Sequence, residues 1–187
     1  MLNYNSVIKN EIKQESISVK EISPVIKINL RGKKREFLTN VGKNLNMILP
    51  TEANTSTTSD KLTAIWLSPD EWMIISNELA SKDTNKSDLY EMLFNSISKT
   101  NLGAVIDVTD QFVQLELKGE NVYEIFSAGS PFNFNEFKEK KGSTTQTVLN
   151  HIDVILHHKD ENTVNLFVRR SFAEHLFSWI EDSASRL

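Results

Sequence analysis

The histidines are the first candidates in this sequence for binding a metal ion or transferring protons. The chain has four, at His151, His157, His158 and His175. His157 and His158 are adjacent, so in a strand they would point to opposite faces and could not hold one ion together. No carboxylate stands at a familiar ligand spacing from either one. This pattern favours surface or edge histidines over a metal site.

Two aspartates and one serine are the other candidates for chemistry. Asp107 and Asp110 are three positions apart between two strand-like runs. Two carboxylates in one cleft can act as general acid and base. Carboxylates in a turn or at a cap commonly accept backbone hydrogen bonds instead, and the sequence favours that second role. Ser171 and Glu174 have the spacing of a capping box, which predicts a helix start rather than a nucleophile.

The composition excludes several classes of function. With 21 Lys and Arg against 25 Asp and Glu, the formal net charge is −4, which argues against a general nucleic-acid-binding protein. The absence of cysteine excludes disulfides, thiolate metal sites and cysteine nucleophiles, and it fits a cytoplasmic protein. The sequence contains no glycine-rich phosphate loop and no apolar run long enough to span a membrane. We therefore expect a cytoplasmic protein without nucleic-acid or membrane partners.

The central element is a hairpin over Leu62–Ser76, in which two apolar runs flank the turn Ser68-Pro-Asp-Glu71. Both runs are rich in β-branched and aromatic residues, which is typical of strands. Pro69 fixes its own φ and has no N–H to donate, so the first strand must end there. Trp66 and Trp72 stand on either side of this turn.

The remaining elements are predicted from hydrophobic periodicity. Strands are expected at residues 17–22, 25–30, 104–110, 112–117, 142–149, 152–157 and 162–168. Helices are expected at 36–49, where Pro50 would stop the first one, at 87–99 with Ser87 as the N-cap, at 119–129, and from Ser171 onward. Polar connections are expected at 51–59 and 77–86, and an aromatic loop with Phe132, Phe134 and Phe137 is interpreted as packing rather than cofactor binding.

These blocks mix without regular βαβ alternation, which predicts an α+β fold with mixed or antiparallel sheets and flanking helices. Residues 1–14 are predicted to be a loosely ordered arm, and residues 15–187 a single α+β domain. The basic turn Arg31–Arg35 is either a solvated loop or a contact for an anionic partner, and the first interpretation is favoured.

Four stretches of the chain carry a family resemblance, and they come in the family's order. They are Ile65–Trp72 (Ile-Trp-Leu-Ser-Pro-Asp-Glu-Trp), Val105–Asp110, Leu117–Gly119 at the start of a helix, and Leu166–Ala173 with Trp179 downstream. With Gln146-Thr147 as a further match, the chain resembles the gamma subunit of heterotetrameric sarcosine oxidase from residue 15 to its end. It departs from the family pattern at Ser68, where glycine is usual, and at Ser130, where cysteine often precedes proline.

This resemblance implies a fold related to the folate-binding domain of the glycine-cleavage T protein and the first domain of the tRNA-modifying GTPase. The implied complex oxidises the N-methyl group of sarcosine with oxygen to give glycine and hydrogen peroxide. The one-carbon unit passes to tetrahydrofolate or leaves as formaldehyde, which places the complex in sarcosine catabolism and one-carbon metabolism. The resemblance implies that FAD, FMN and NAD are bound by the larger subunits and that folate is handled by the alpha subunit.

The resemblance further implies a companion chain without its own active site, whose partners are the alpha, beta and delta subunits, chiefly alpha. No catalytic, cofactor-binding or metal-binding residue is assigned to this chain. The residues expected at a partner interface are aromatic and cationic side chains of the matching stretches, namely Trp66, Trp72, Arg169, Arg170 and Trp179. The alternative is an independent folate-binding protein or a T-protein-like aminomethyltransferase, in which Asp107 or Asp110 would grip the pterin. A related iron–sulfur maintenance protein normally has a signature cysteine, which this chain lacks.

Overall fold

Strands and short helices alternate along the part of the chain that the computed structural model describes, which is residues 5–22, 25–59, 61–79 and 88–187, without the side chains of 77–79. The described strands are β1 (Ile12–Lys13), β2 (Ser18–Glu21), β3 (Val25–Arg31), β4 (Ser56–Thr58), β5 (Leu62–Ser68), β6 (Glu71–Leu79), β7 (Ala104–Asp107), β8 (Phe112–Lys118), β9 (Thr144–Leu149), β10 (Ile152–Asp160) and β11 (Thr163–Arg169). The α-helices are α1 (Arg35–Leu45), α2 (Asp88–Leu93), α3 (Val122–Gly129), α4 (Asn135–Glu139) and α5 (Ala173–Ala184).

These elements divide into two compact units. Unit 1 takes the described residues of Pro24–Asp110, and unit 2 those of Asn5–Ser23 and Gln111–Leu187. Within the described part, the sheet of unit 1 has the strand order β4-β5-β6-β3-β7, and that of unit 2 has the order β1-β2-β8-β11-β10-β9. The strand pairs in both sheets are antiparallel. The predicted α+β class with antiparallel sheets is confirmed.

The predicted division into an arm and one domain stays a prediction, but the stretch assigned to the arm contains ordered contacts. Ile8 and Ile12 lie in the hydrophobic core of unit 2. Strand β1 begins at Ile12 and pairs with β2. The described residues of this segment therefore contribute to the sheet and the core of unit 2.

The predicted hairpin forms the centre of unit 1. Strands β5 and β6 are joined by Pro69 and Asp70 alone, and Trp66 lies directly opposite Trp72. Helix α1 packs on this sheet with Phe37, Val41 and Leu45, whose three- and four-residue spacing brings them to one helix face. These side chains share a core with apolar residues of the hairpin and of β3.

Helix α1 ends four residues earlier than the sequence predicts. Asn46 adopts the left-handed conformation with φ 49° and ψ 42°, which asparagine tolerates better than most residues. The Met47 amide then donates to the Gly42 carbonyl at 3.2 Å, which closes the helix before Pro50 can do so. The prediction that Ile48 faces the core is wrong, since it is 82% exposed while Met47 and Leu49 are buried.

Four further predictions in unit 1 need correction. The predicted polar loop 51–59 contains strand β4, and β6 runs to Leu79, three residues into the predicted connection 77–86. Ser87, the expected N-cap, lies outside the described residues. The predicted helix to Lys99 is α2 followed by a π-helical turn at Phe94–Ser98. Met92, predicted on its core face, is 38% exposed.

Unit 2 places its helices on one face of its sheet. Val113, Leu115 and Leu117 alternate along β8 into a core that also holds Val122, Ile125 and Phe126 of α3, as predicted. The aromatic loop contains the short helix α4, and Phe134 and Phe137 are buried in the same core, which confirms the packing interpretation.

The capping-box prediction at Ser171 is wrong. The Arg170 amide donates to the Gln111 carbonyl at 2.9 Å, and Arg170–Phe172 forms a 3₁₀ turn before α5 begins. The N-cap is Phe172, which has no side-chain cap hydrogen bond. Phe172 was predicted in the core but is 48% exposed, because the helix starts two residues after the predicted position.

Candidate functional site

The turn between β5 and β6 is held together by the carboxylate of Asp70. The Ser68 hydroxyl donates to Asp70 Oδ1 at 2.9 Å. Arg31 and Lys33 approach Asp70 Oδ2 at 3.6 and 3.5 Å. The Ser68 hydrogen bond, together with these two cations, lowers the pKa of Asp70. The hairpin turn is thereby tied to the basic turn Arg31–Arg35.

Glycines at two positions, one in the basic turn and one beside it, allow the chain to pack closely there. The Gly32 amide donates to the Asp70 carbonyl at 3.0 Å. A Cβ at Gly32 would lie 2.5 Å from the ring of Phe37, and one at Gly103 would lie 2.3 Å from the Arg31 carbonyl oxygen. The chain passes too close to the start of α1 for larger residues, so these glycines bring the cations of the turn against the helix end.

The three tryptophans differ in their surroundings. Trp72 is 2% exposed, and its indole N–H donates to the Pro50 carbonyl at 2.8 Å. Its ring lies 5.9 Å from that of Phe37, so it belongs to the core of unit 1 rather than to a surface. Trp66 and Trp179 are partly buried and pack against the cores of units 1 and 2 respectively.

The two candidate arginines make different contacts within unit 2. Arg169 is exposed at the end of β11, with its guanidinium 5.8 Å from the centre of the Phe112 ring. Arg170 donates from Nη2 to the Asn5 carbonyl at 2.6 Å. Arg170 thus binds the N-terminal segment of its own unit, whereas the guanidinium of Arg169 stacks on its own unit while remaining exposed.

Asp107 and Asp110 are not brought together around a cleft by any contact that the structure records. Asp107 Oδ1 accepts a hydrogen bond from the Thr109 amide at 2.9 Å, which is the turn role that the sequence favours. Both aspartates are exposed. The segment between them connects β7 in the sheet of unit 1 to β8 in the sheet of unit 2, so it is not a hairpin.

The prediction of surface or edge histidines is wrong for His157 and His158, which are 4% and 3% exposed. Both lie on β10, an interior strand of the unit 2 sheet, on opposite faces. Burial lowers the pKa of His157 to about 4, and the charges of His158 and Lys159 act in the same direction. His157 is therefore neutral at physiological pH.

A row of polar side chains crosses the unit 2 sheet at the position of His157. The register places Glu116, Asn165, His157 and Thr144 opposite one another on β8, β11, β10 and β9. Burial raises the pKa of Glu116, but hydrogen bonds and charges from Lys159 and Lys20 outweigh that effect and lower it overall. The oxygen atoms Asn165 Oδ1 and Thr144 Oγ1 are buried without a hydrogen-bond partner among the described residues.

The opposite face carries His158 inside an aromatic cluster. His158 Nδ1 lies 3.0 Å from the Lys140 carbonyl. Because a carbonyl only accepts, Nδ1 carries the proton. The ring packs edge-on against Tyr123 at 6.3 Å and lies 5.8 Å from Phe137. Burial raises the pKa of Tyr123 to about 12. This environment describes a packed core histidine, with no second ligand-bearing side chain beside it in the contacts of the described chain.

Two kinds of feature are absent from the part of the chain that the structure describes. No group of three or more His, Cys, Asp or Glu side chains in this part of the chain is placed to hold a metal ion. Among the same residues, no helix has the length and apolar character needed to cross a bilayer.

The sequence analysis missed a partly apolar surface along α1. One groove of about 570 Å³ is lined by residues that include Leu38, Met47 and Ile48. A second, of about 580 Å³, includes Arg35 and Asn40. Thr39 and Lys43 line both grooves, so the two grooves adjoin along α1. The helical pattern predicted Ile48 inside the core, and only the left-handed Asn46 could have signalled otherwise.

Comparisons with known proteins give one family match and two structural likenesses. The sequence model described as "Sarcosine oxidase, gamma subunit family" matches residues 32–186. The chain is similar to the structure titled heterotetrameric sarcosine oxidase from Corynebacterium sp. U-96 in complex with pyrrole 2-carboxylate, with TM-score 0.82, 20% identity, and coverage of 94% of this chain and 88% of that one. No curated protein sequence matches.

A second structural likeness is to the glycine cleavage system aminomethyltransferase T from Bartonella henselae. The TM-score is 0.61 and the identity 16%, and the match covers 88% of this chain and 45% of that chain. At these identities both structural matches establish the fold, and they confirm the predicted relation to the T-protein fold.

Proposed function

The chain belongs to the sarcosine oxidase gamma subunit family, and from this premise we propose that it is a companion subunit of a heterotetrameric sarcosine oxidase that supplies no catalytic group. The observation that carries the proposal is the family match over residues 32–186, which includes the four motif stretches found in the sequence. The likeness over 94% of this chain to a structure titled heterotetrameric sarcosine oxidase supports it.

In this proposal the larger subunits carry out the reaction. Sarcosine, oxygen and water give glycine, hydrogen peroxide and formaldehyde, or the one-carbon unit is transferred to tetrahydrofolate. FAD, FMN and NAD would be bound by the larger subunits, with folate handled by alpha. The six glycines of this chain stand singly in the sequence, so they do not form the glycine-rich loop that commonly cradles a dinucleotide phosphate.

The proposed partners are the alpha, beta and delta subunits, chiefly alpha, with the cytoplasm as the proposed compartment. Of the five side chains expected at the interface, Arg169 has the most accessible charge, and Trp66 and Trp179 are partly exposed. Arg170 contacts its own unit and Trp72 is in the core. Arg169, Trp66 and Trp179 are therefore the members of that set we propose for partner contacts.

The experiment that tests the absence of catalytic groups uses the assembled complex with substitutions in this chain. Asp107→Asn, Asp110→Asn and Ser171→Ala change the side chains that the sequence offers as candidates for a catalytic role. If the chain is a companion, each variant complex should oxidise sarcosine with kcat/KM within about twofold of the unsubstituted complex. A fall of about 100-fold or more in kcat, with the complex intact, would assign a catalytic role to that side chain.

The second candidate function is folate binding, which the T-protein-like fold favours. Calorimetric titration of the isolated chain with tetrahydrofolate tests it. The companion proposal predicts no heat of binding. Saturable binding that Asp107→Asn or Asp110→Asn abolishes, while Asp153→Asn on β10 retains it, would favour the folate-binding alternative. Asp153 is an exposed aspartate in unit 2 and serves as the matched control.

A further inference from the structure

Among the described residues, the most exposed large apolar side chain is Ile48. It is 82% exposed, whereas its neighbours Met47 and Leu49 are 8% and 4% exposed. Asn46 closes the helix just before it, and the Pro50 carbonyl just after it accepts the Trp72 indole N–H. Since anchors on both sides fix the backbone, binding through Ile48 would cost little backbone conformational entropy.

The groove beside Ile48 continues into a basic region along α1. Lys43 is exposed and lines both grooves, and Arg35 lines the second. Neither side chain has an ion-pair partner among the described residues of the chain, in contrast to Arg31 and Lys33, which contact Asp70. Residues 31–43 carry five cationic side chains and a single acidic one, in a chain whose net charge is −4.

These cations oppose the electrostatics of the helix itself. Lys33, Lys34 and Arg35 stand at the N-terminal end of α1, where the helix dipole favours negative charge. The N-cap is Lys34, whose side chain accepts no hydrogen bond from the first-turn amides. An acidic surface placed here would be attracted by the cations and by the helix end together, which gives the region a charge preference.

We infer that this α1 surface, formed by Arg35, Thr39, Lys43 and Ile48, is a docking site for an acidic surface on a larger subunit, with an apolar depression that receives Ile48. The inference rests on the proposed function and extends it by naming the surface and the chemistry of its partner. In such a surface an exposed apolar side chain next to a cation, here Ile48 and Lys43 in one groove, can carry much of the binding energy. The basic turn Arg31–Arg35, which was interpreted from the sequence as a solvated loop, then borders this surface.

The test measures the affinity of the full chain for the complex purified without it. Ile48→Ser should weaken binding by about tenfold or more. The matched control is Ile106→Ser on β7, since Ile106 is another exposed isoleucine of unit 1, at 53% exposure. It should bind within about twofold of the unsubstituted chain.

Separate variants test the part of the inference that assigns an acidic partner surface. Lys43→Glu should slow association and reduce its dependence on salt between about 50 and about 500 mM NaCl. Lys138→Glu on α4 is the control with an exposed lysine in unit 2, and it should retain the unsubstituted salt dependence. Faster association of Lys43→Glu would show a basic partner surface and overturn the inference.

The outcomes separate this inference from the proposal it rests on. If the unsubstituted chain binds and the Ile48→Ser and Lys43→Glu variants bind equally well, the α1 surface is not the docking site and the companion role stands. If the unsubstituted chain binds no subunit, the companion role itself fails. If Ile48→Ser changes only the mass of the isolated chain in light scattering, the occupant is a second copy of this chain and the inference is overturned.

Discussion

Two large apolar side chains, Ile48 just after helix α1 of unit 1 and Trp179 on helix α5 of unit 2, have different surroundings. On α5, Trp179 packs against Gly129 at the end of α3, so closely that a Cβ there would lie 2.5 Å from the indole ring. After α1, Ile48 projects with 82% of its surface exposed, in a groove that Lys43 also lines. Unit 2 thus packs part of its large ring against its own backbone, whereas unit 1 leaves an apolar side chain almost fully exposed.

The difference separates a side chain that stabilises the fold and leaves part of its surface for a partner from one that is available to a partner alone. A ring that needs a glycine beside it is part of the packing, and changes there should appear as lost stability. An isoleucine fixed outward contributes almost nothing to the fold, and changes there should appear in assembly. This interpretation requires that the interior of unit 1 is well packed.

The largest effect is expected for Trp72→Ala in that interior. Removing the ring leaves a cavity against Phe37 and strands the Pro50 carbonyl, so the free energy of unfolding should fall by about 3–5 kcal/mol. Urea denaturation of the isolated chain measures this. Trp66→Ala, at the partly exposed ring opposite, is the paired variant and should lose less. Equal small losses for both would mean that the interior of unit 1 is loosely packed.

The next effect is the pH dependence that His157 gives to unit 2. Its pKa is about 4 when folded and about 6.5 when unfolded. The unfolded chain therefore binds more protons between these values, and stability should fall as pH drops from 6.5 to 4. The loss attributable to this residue is about 3 kcal/mol at the lower end. Urea midpoints of the chain and of His157→Asn check it, and the variant should show a shallower slope. Parallel slopes would contradict the assignment.

A smaller loss, of about 1–3 kcal/mol, is expected for Gly129→Val, because the new side chain overlaps the Trp179 ring. The double variant Gly129→Val with Trp179→Leu should recover part of this loss, since a smaller side chain leaves room. A double-mutant cycle by urea denaturation gives the coupling free energy. Strictly additive losses would show that Trp179 does not depend on Gly129, and the comparison of α5 with α1 would weaken.

The smallest effect on stability is expected for Ile48→Ser, within about 0.5 kcal/mol, because the side chain is already in solvent. Thermal denaturation of the isolated chain measures it, with Ile28→Ser in the core of unit 1 as the contrasting variant that should lose several times more. A loss above about 1 kcal/mol for Ile48→Ser would place the side chain in the fold rather than at a free surface.

The strands and the hairpin were the most predictable features. Alternation along β8 and the Pro69 turn depend on neighbouring residues alone, and both are found where the sequence placed them. The family, too, could be recognised from four short stretches. Local pattern therefore sufficed for the α+β class and for the relation to the sarcosine oxidase gamma subunit.

Helix ends were less predictable, because several stop signals compete. Pro50 forbids the helix to continue, but Asn46 ends it first by adopting the left-handed conformation. Asparagine at this position is a known end signal. At Ser171 the capping-box pattern was present, but the hydrogen bond from Arg170 to Gln111 holds that segment in a 3₁₀ turn. That contact joins residues distant in sequence, so no local pattern could show it.

The burial of His157 and His158 also depends on contacts between residues distant in sequence. So does the assignment of two separate stretches of the chain to unit 2. Unit 2 combines residues 5–23 with residues 111–187, and a strand pattern does not reveal whether one or both faces of a sheet are covered. The α1 surface has the same origin. Ile48 is exposed beside Lys43 because helix α1 ends at Leu45, before Ile48 is reached.

The most direct test of the central claim is light scattering after size exclusion, with an absorbance scan, on this chain co-expressed with the larger sarcosine oxidase subunits. The account predicts a yellow complex that contains one copy of this chain per assembly and oxidises sarcosine. A colourless chain that elutes alone, beside a fully active complex that lacks it, would contradict the account.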